Sequence, residues 1–276
     1  MTTPESPAAG TAAAADGAEL AAALESSGVA GRIITPVHDV YRKARMLSEG
    51  RPSALMGLRH LLPVEMSEVM DALARLSGRP FPREGNTDDL SWVQPELVVE
   101  QAVKAGARLA QACVRGEKVL FGTGHPAGPI DLYMRLAKAM TLRGAEVLEF
   151  AEAEPFEMDE GLRRHHIRYV GRVACVCSGG DLVHCHQARP MEYLLDTGPH
   201  PDLVVGDHGF AGAALARGAG AVAIVDTNDP ALVLAWARGL PVCPILCDDN
   251  RTPISYLPLA RFLVSRLPPL APAPEH

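Results

Sequence analysis

From residue 117 onward, short apolar runs alternate with stretches of helical character, and that rhythm restricts the chain to a small set of folds. KVLFG, AEVLEF, DLVVG, AVAIVD and VCPILC read as strands. Interspersed with them, PIDLYMRLAKAMTLRG, ARPMEYLLDTG, FAGAALARG, PALVLAWARG and YLPLARFLVSRL read as helices. Strands separated by helices of about ten residues imply βαβ units and a parallel sheet. The apolar runs are near-continuous, as expected of strands with both faces covered. IRYVGRVACVC fits either one bent strand or a hairpin about Gly171. The expected fold class is α/β, a mostly parallel sheet sandwiched by helices.

The earlier part of the chain has a different period. PVHDVYRKARML, MSEVMDALARL and PELVVEQAVKAGARLAQACVRG carry helical spacing, with Met66, Val69, Met70, Leu73 and Leu76 along one face of the second. SGRPFPREGNTDDLSW is a polar connection rich in Pro and Gly. The organisation expected is a flexible tail over 1–30, a helical subdomain over 31–115, an α/β catalytic core over 116–267 and a second tail over 268–276. Whether the N-terminal helices close over a cleft or form the face of a homodimer is left open.

Hydrophobic residues make up 47% of the chain and charged residues 21%, enough apolar material for a large core. A net charge of −7 argues against nucleic acid or an acidic membrane surface as partner. No run of eighteen apolar residues predicts a membrane span, and the N-terminus lacks the basic start and apolar stretch of a signal peptide. The six cysteines are then expected to be reduced thiols, and the protein cytoplasmic.

In open parallel sheets, ligands bind beyond the carboxyl ends of the strands. The residues just past each expected strand are of one kind. GTGHPAGP brings Thr123, Gly124, His125 and Gly128; SGGDLVHCH brings His184 and His186; GDHGF brings Asp207 and His208. DTNDP brings Asp226 and Asp229, and CDDN brings Asp248, Asp249 and Asn250. Each has a plain reading as a turn or helix cap, but five polar strand ends together point to one cleft. GTGHPAGP, with Pro129 before a helix, reads as an anion-binding backbone of free N–H groups. It is neither a P-loop, since no GK[ST] comes after it, nor the dinucleotide pattern, since the helix starts too late.

The spacing C-x-C and then H-C-H matches no standard zinc ligand set, so Cys175 and Cys177 read as buried thiols. His184 and His186 stay open between packing and a catalytic or metal role. GxSxG is absent, which leaves a serine-hydrolase triad without support.

Several carboxylates in one cleft raise each other's pKa unless a divalent cation relieves the repulsion, and oxygen ligands suit Mg²⁺ or Mn²⁺. Beside an anion cradle, such an ion suits phosphoryl transfer to water. The same acids without a metal suit a lyase, cyclase or isomerase acting on a small carboxylic acid, and the cleft also fits a non-catalytic metabolite-binding protein.

GTGHPAGPIDLY, GDHGFAGAAL, DTNDPAL and CDDN, in this order, resemble a group of actinobacterial proteins described as phosphatases, over residues 95–265. The resemblance implies a phosphoric monoester hydrolase. The layout is also distantly similar to D-glutamate cyclase-type proteins, with their TG-containing loop and later GD-x-G turn, although HPAGP stands where those have an acidic loop.

The residues themselves read as those of a metal-assisted phosphohydrolase acting on a small phosphorylated metabolite. Asp207, His208 and His125 are the expected catalytic groups, with His208 moving the proton. Thr123, Gly124, Gly128, Arg189 and Asn250 are expected to bind substrate, and Asp226, Asp229, Asp248 and Asp249 to hold the metal.

Overall fold

A computed structural model of the chain describes residues 7–82, 89–152, 154–158 and 164–270, with side chains from residue 16. The expected strands and helices build the predicted α/β architecture. Strands β1 (Gly31–Pro36) and β2 (Leu90–Val93) pair antiparallel in a small separate sheet. The main sheet contains β3 (Lys118–Thr123), β4 (Glu146–Val147), β5 (Pro155–Glu157), β6 (Arg164–Val170), β7 (Val173–Ser178), β8 (Asp181–Leu182), β9 (Leu203–Gly206), β10 (Gly220–Val225) and β11 (Val242–Leu246). Among the described residues its order is β11-β10-β9-β3-β7-β6-β5, with β4 beside the start of β3 and β8 beside β7.

β11, β10, β9, β3, β4 and β7 run parallel, whereas β5, β6 and β8 add an antiparallel edge. IRYVGRVACVC is therefore the hairpin β6–β7, turning at Gly171 and Arg172, both with positive φ. AEVLEF contributes only the two residues of β4.

Helices α1 (Pro7–Ser26), α2 (Val37–Ser48), α3 (Pro52–Leu55), α4 (Met66–Ser77) and α5 (Pro95–Arg115) precede the main sheet. Within and after it come α6 (Ile130–Thr141), α7 (Arg189–Thr197), α8 (His208–Ala216), α9 (Pro230–Ala237) and α10 (Leu257–Ser265). The stretch expected as a flexible tail is helical in α1, where Leu20, Ala21 and Leu24 are buried. Burial of these apolar side chains supplies what alanine-rich composition alone does not. Residues 1–6 and 271–276, expected as tails, lie outside the described residues, as does the 83–88 part of the polar connection.

The alternation along β3 shows how the sheet is covered. Val119 and Phe121 join a core cluster with Leu24, Val40, Leu73 and Leu109, all from before residue 116. Leu120 points the other way, into a cluster with Val176, Leu194, Val204 and Phe210. The boundary at residue 115 is thus a change of sequence period and not a break in the core. Among the described residues, no helix is long and apolar enough to cross a membrane.

Candidate active site

The strand order fixes where side chains can converge. From β3 the chain moves to one side, through β4 to the β5–β8 edge, and from β9 it moves to the other, through β10 to β11. The crevice beyond the carboxyl ends of β3 and β9 is therefore the switch point at which such sheets bind ligands.

Asp207, immediately after β9, clamps the two strand ends together. Its Oδ2 accepts from the Thr123 hydroxyl at 2.6 Å and the Tyr133 hydroxyl at 3.1 Å, and its Oδ1 from the Gly124 N–H at 2.6 Å. Burial pushes its carboxyl above the usual range, against the lowering influence of His208, Thr123 and Gly124. His208 comes next with φ of +43°, a conformation that costs a non-glycine residue about 1–3 kcal/mol. Close packing on either side over-determines it. A Cβ on Gly206 would lie 2.1 Å from the Gly122 carbonyl oxygen, and one on Gly209 would lie 1.9 Å from that of Gln187.

This geometry corrects the expected anion cradle. The N–H groups of Gly124, His125 and Gly128 are taken by Asp207, the Thr123 hydroxyl (2.9 Å) and the His125 carbonyl (3.1 Å). Thr123 itself is fully buried. The hydrogen-bond capacity of these three groups is spent on shaping the site, where Cβ atoms on Gly124 and Gly128 would lie 2.0 and 2.1 Å from the Cys185 and Asp249 carbonyl oxygens.

What the crevice collects instead is imidazole. His125 and His184 stack with ring centroids 4.3 Å apart, His186 and His208 at 3.9 Å, and His184 and His186 lie 4.8 Å apart. His208 Nε2 is 2.9 Å from Asp249 Oδ2 and 3.3 Å from Asp229 Oδ2. His125 approaches Asp249 with Nδ1 at 3.4 Å and Asn250 with Nε2 at 3.2 Å; His186 Nδ1 is 3.7 Å from Asp229 Oδ1. Even so, Nδ1 of His125, His186 and His208 and Oδ1 of Asp229 are buried without a hydrogen-bond partner.

The donor atoms of His186, His208 and Asp229 lie within 4.8 Å of one another, as do those of His125, His184 and His208, and those of Asp226, Asp248 and Asp249. Unpartnered buried ligand atoms of this kind are what a bound cation completes. These His and Asp groups can hold a metal ion.

The acids divide by partner. Asp226 accepts from the Thr35 hydroxyl at 2.6 Å and from the N–H and hydroxyl of Thr227. Asp248 accepts from the Ile34 N–H, Arg251 Nε and the Asn250 N–H, at 2.9, 2.9 and 3.0 Å. Both pin β1 and its neighbours, whereas Asp229 and Asp249 face the histidines.

The electrostatics respect this division. Burial, then the charges of Asp249 and Asp248, push Asp226 well above the carboxylate range; burial raises Asp248. Burial also opposes ionisation of Asp229 and Asp249. The imidazoles of His208 and His186 hold Asp229 well below the usual range, and those of His125 and His208 bring Asp249 to about 2. Burial disfavours the His208 imidazolium, but Asp229, Asp249 and Asp207 outweigh it and raise the pKa well above the ordinary value. His184 falls to about 4 through burial and the neighbouring imidazoles.

Thr35, Pro36, Asp39, His125, His184 and His186 line a cavity of about 180 Å³ over this cluster. Segment 34–39 is therefore one wall of the cleft, which the sequence does not signal. Sequence reasoning also misses Tyr133 and Thr35. Of the expected set, Asp207, His208, His125, Thr123, Gly124, Gly128, Asn250, Asp226, Asp229, Asp248 and Asp249 converge here. Arg189 does not: it sits at the start of α7, with Nε on the Glu157 carbonyl at 3.4 Å and Nη1 3.8 Å from Asp196. His184 and His186, whose role the sequence leaves open, belong to the cluster, and their H-x-H spacing after a strand is the available signal.

Comparison with known proteins identifies the family. A family model described as Phosphatase matches residues 15–269. A curated protein of Streptomyces coelicolor named Phosphatase SCO2771 is 33% identical over 261 residues, spanning 90% of this chain and 95% of that protein. No solved structure matches. With the family model spanning nearly the whole chain, this protein belongs to the Phosphatase family.

Proposed function

We propose that the protein is a metal-assisted phosphohydrolase acting on small phosphorylated metabolites. The observation that carries this reading is the convergence of four imidazoles with Asp229 and Asp249 at the switch point, with buried ring nitrogens lacking partners. His186, His208 and Asp229 would hold the ion, with His125 and Asp249 beside them. Imidazole-rich sets suit Mn²⁺ or Zn²⁺ better than Mg²⁺. What a bound divalent ion supplies is Lewis-acid neutralisation of the phosphoryl charge.

The chain's own groups do the rest. Asp207 has both oxygens occupied, so its role is positioning: it sets His208 and the β3 loop. His208 is fully buried and orients Asp229 and Asp249 instead of meeting substrate. His184 is the exposed imidazole of the cluster, so it is the one that can reach an attacking water, and its neutral ring keeps a nitrogen lone pair for the proton. Asn250 lines the cleft and would orient a phosphoryl oxygen. The small cavity favours a small substrate.

Phosphate release from a panel of sugar, polyol and nucleoside monophosphates, assayed with Mn²⁺, Zn²⁺ or Mg²⁺ added to chelator-treated protein, tests the reading. Turnover with an added ion is expected, and His184→Gln is expected to lower kcat by about 100-fold or more. Turnover that survives chelation, or a fully active His184→Gln, would overturn the respective assignment.

A further inference from the structure

A second and larger cavity lies along the same elements as the metal cleft. It has a volume of about 710 Å³ and is lined by Arg51, Arg59, Arg189, Gln187, Glu49 and Glu192, among others. Three elements run from one cavity to the other. On α2, Asp39 lines the metal cleft and Met46 the second cavity, with Pro36 and Glu49 flanking the helix at the same two ends; Lys43 lies between Asp39 and Met46 on the same side of the helix. In the loop before α7, His186 lines the first cavity, and Gln187, Ala188 and Arg189 line the second.

Helix α8 begins with His208, and one turn later its Gly212 packs under the second cavity's floor. A Cβ there would lie 2.1 Å from the Met56 carbonyl oxygen, and the Met56–Gly57 turn has positive φ at both residues. The seven steps along α2 from Asp39 to Met46 rise about 10 Å, so on this helix the residues lining the two cavities stand about that far apart.

The two cavities differ in charge. The first is lined by carboxylates and imidazoles. In the second, three guanidinium groups meet two carboxylates, and the pairing is incomplete. Arg51 is 3.3 Å from Glu49 and Arg189 is 3.8 Å from Asp196, while Arg59 is exposed and makes no ion pair among the described residues. Gln187, in the cavity lining, has a buried amide oxygen without a partner. Guanidinium forks favour phosphate and carboxylate oxygens.

We propose that this second cavity binds a further anionic group of the substrate, so that the preferred substrates are small metabolites carrying a phosphate at one end and a second anion, phosphate or carboxylate, at the other. The inference rests on the phosphohydrolase reading and gives it a substrate class. Arg189, absent from the metal cleft, then takes part in binding at the distant end.

Matched probes test it: hexyl phosphate, 1,6-hexanediol bisphosphate and 6-(phosphonooxy)hexanoate, each assayed for phosphate release by metal-loaded protein. Either probe with an anionic group at both ends is expected to exceed hexyl phosphate in kcat/KM by about tenfold, mainly through KM. Which of the two wins identifies the second anion. Arg59→Glu and Arg189→Glu, changes at exposed or half-buried positions, are expected to abolish most of that preference. Equal kcat/KM for all three probes, or a preference that survives both reversals, overturns the proposal while leaving the phosphohydrolase reading intact. Absence of turnover with every probe and every ion overturns that reading, and this inference with it.

Discussion

His208 holds its imidazole among three carboxylates only because the backbone on either side of it can approach other strands and loops at van der Waals limits. A methyl group at position 206 would drive into the Gly122 carbonyl, and one at position 209 into that of Gln187. Gly206→Ala is therefore expected to cost about 2–3 kcal/mol, an overpacking penalty, measurable as a lowered denaturant midpoint. An unchanged midpoint would mean that the strand ends can part without loss. At this scale the sequence is informative about which residues gather and silent about what each does. CDDN identifies two adjacent acids, but only the folded chain separates Asp248, tied to Ile34 and Arg251, from Asp249, turned to His208. Neighbouring residues in a loop have no periodicity from which to read direction. Thr123 and Asp207 illustrate the same limit: both belong to the site, yet their polar atoms are spent on each other, on Tyr133 and on the loop's backbone N–H groups.

β1 is the element whose role the sequence conceals. GRIITP is short, lies amid helical segments and pairs with only four residues of β2, so no long-range pattern announces it. Its attachment to the main sheet's loops runs through Asp248 on the Ile34 N–H and Asp226 on the Thr35 hydroxyl. Asp248→Ala leaves the Ile34 N–H without its acceptor and the Arg251 guanidinium with the Gly28 carbonyl but no carboxylate. Loss of one partner of a buried ion pair is expected to destabilise by about 3 kcal/mol, and the loosened cleft wall should also raise KM. Thermal unfolding and steady-state kinetics of this variant check both, and an unaffected KM would detach β1 from the function. By contrast, β3, β9, β10 and β11 and the helices after them are legible. They are buried on both faces, and their apolar runs are bounded by Gly, Asp and Pro. The hairpin β6–β7 is only half legible, since a glycine within an apolar run fits a bend as well as a turn.

Across the whole molecule, the buried charges make stability depend on pH in a way that a metal ion should reverse. In the metal-free protein the raised pKa values of His208, His125 and Asp226 mean that the folded state retains protons which the unfolded chain releases. That contribution is complete below each group's unfolded value and is lost as pH rises through its folded value. His184, His186, Asp229 and Asp249 are shifted downward and have all but finished titrating in both states above about pH 7.5, one unit past the unfolded histidine value. The metal-free protein is therefore expected to lose thermal stability as pH rises from about 7.5 to 9. The loaded protein should gain stability over the same interval, because ion and proton compete for the same imidazoles. Parallel slopes with chelator and with Mn²⁺ would contradict the assignment of these histidines as ligands. If an ion held by His186, His208 and Asp229 makes the phosphatase work, ion uptake and turnover must rise together. Metal titration of chelated protein, reading bound ion and phosphate release side by side for the wild type and Asp229→Asn, decides the matter. The wild type is expected to regain turnover as it takes up Mn²⁺ or Zn²⁺. Asp229→Asn is expected to bind the ion at least about 100-fold more weakly and to stay inactive at concentrations that restore the wild type. Full turnover by the chelated wild type, or undiminished ion binding by Asp229→Asn, would contradict the assignment.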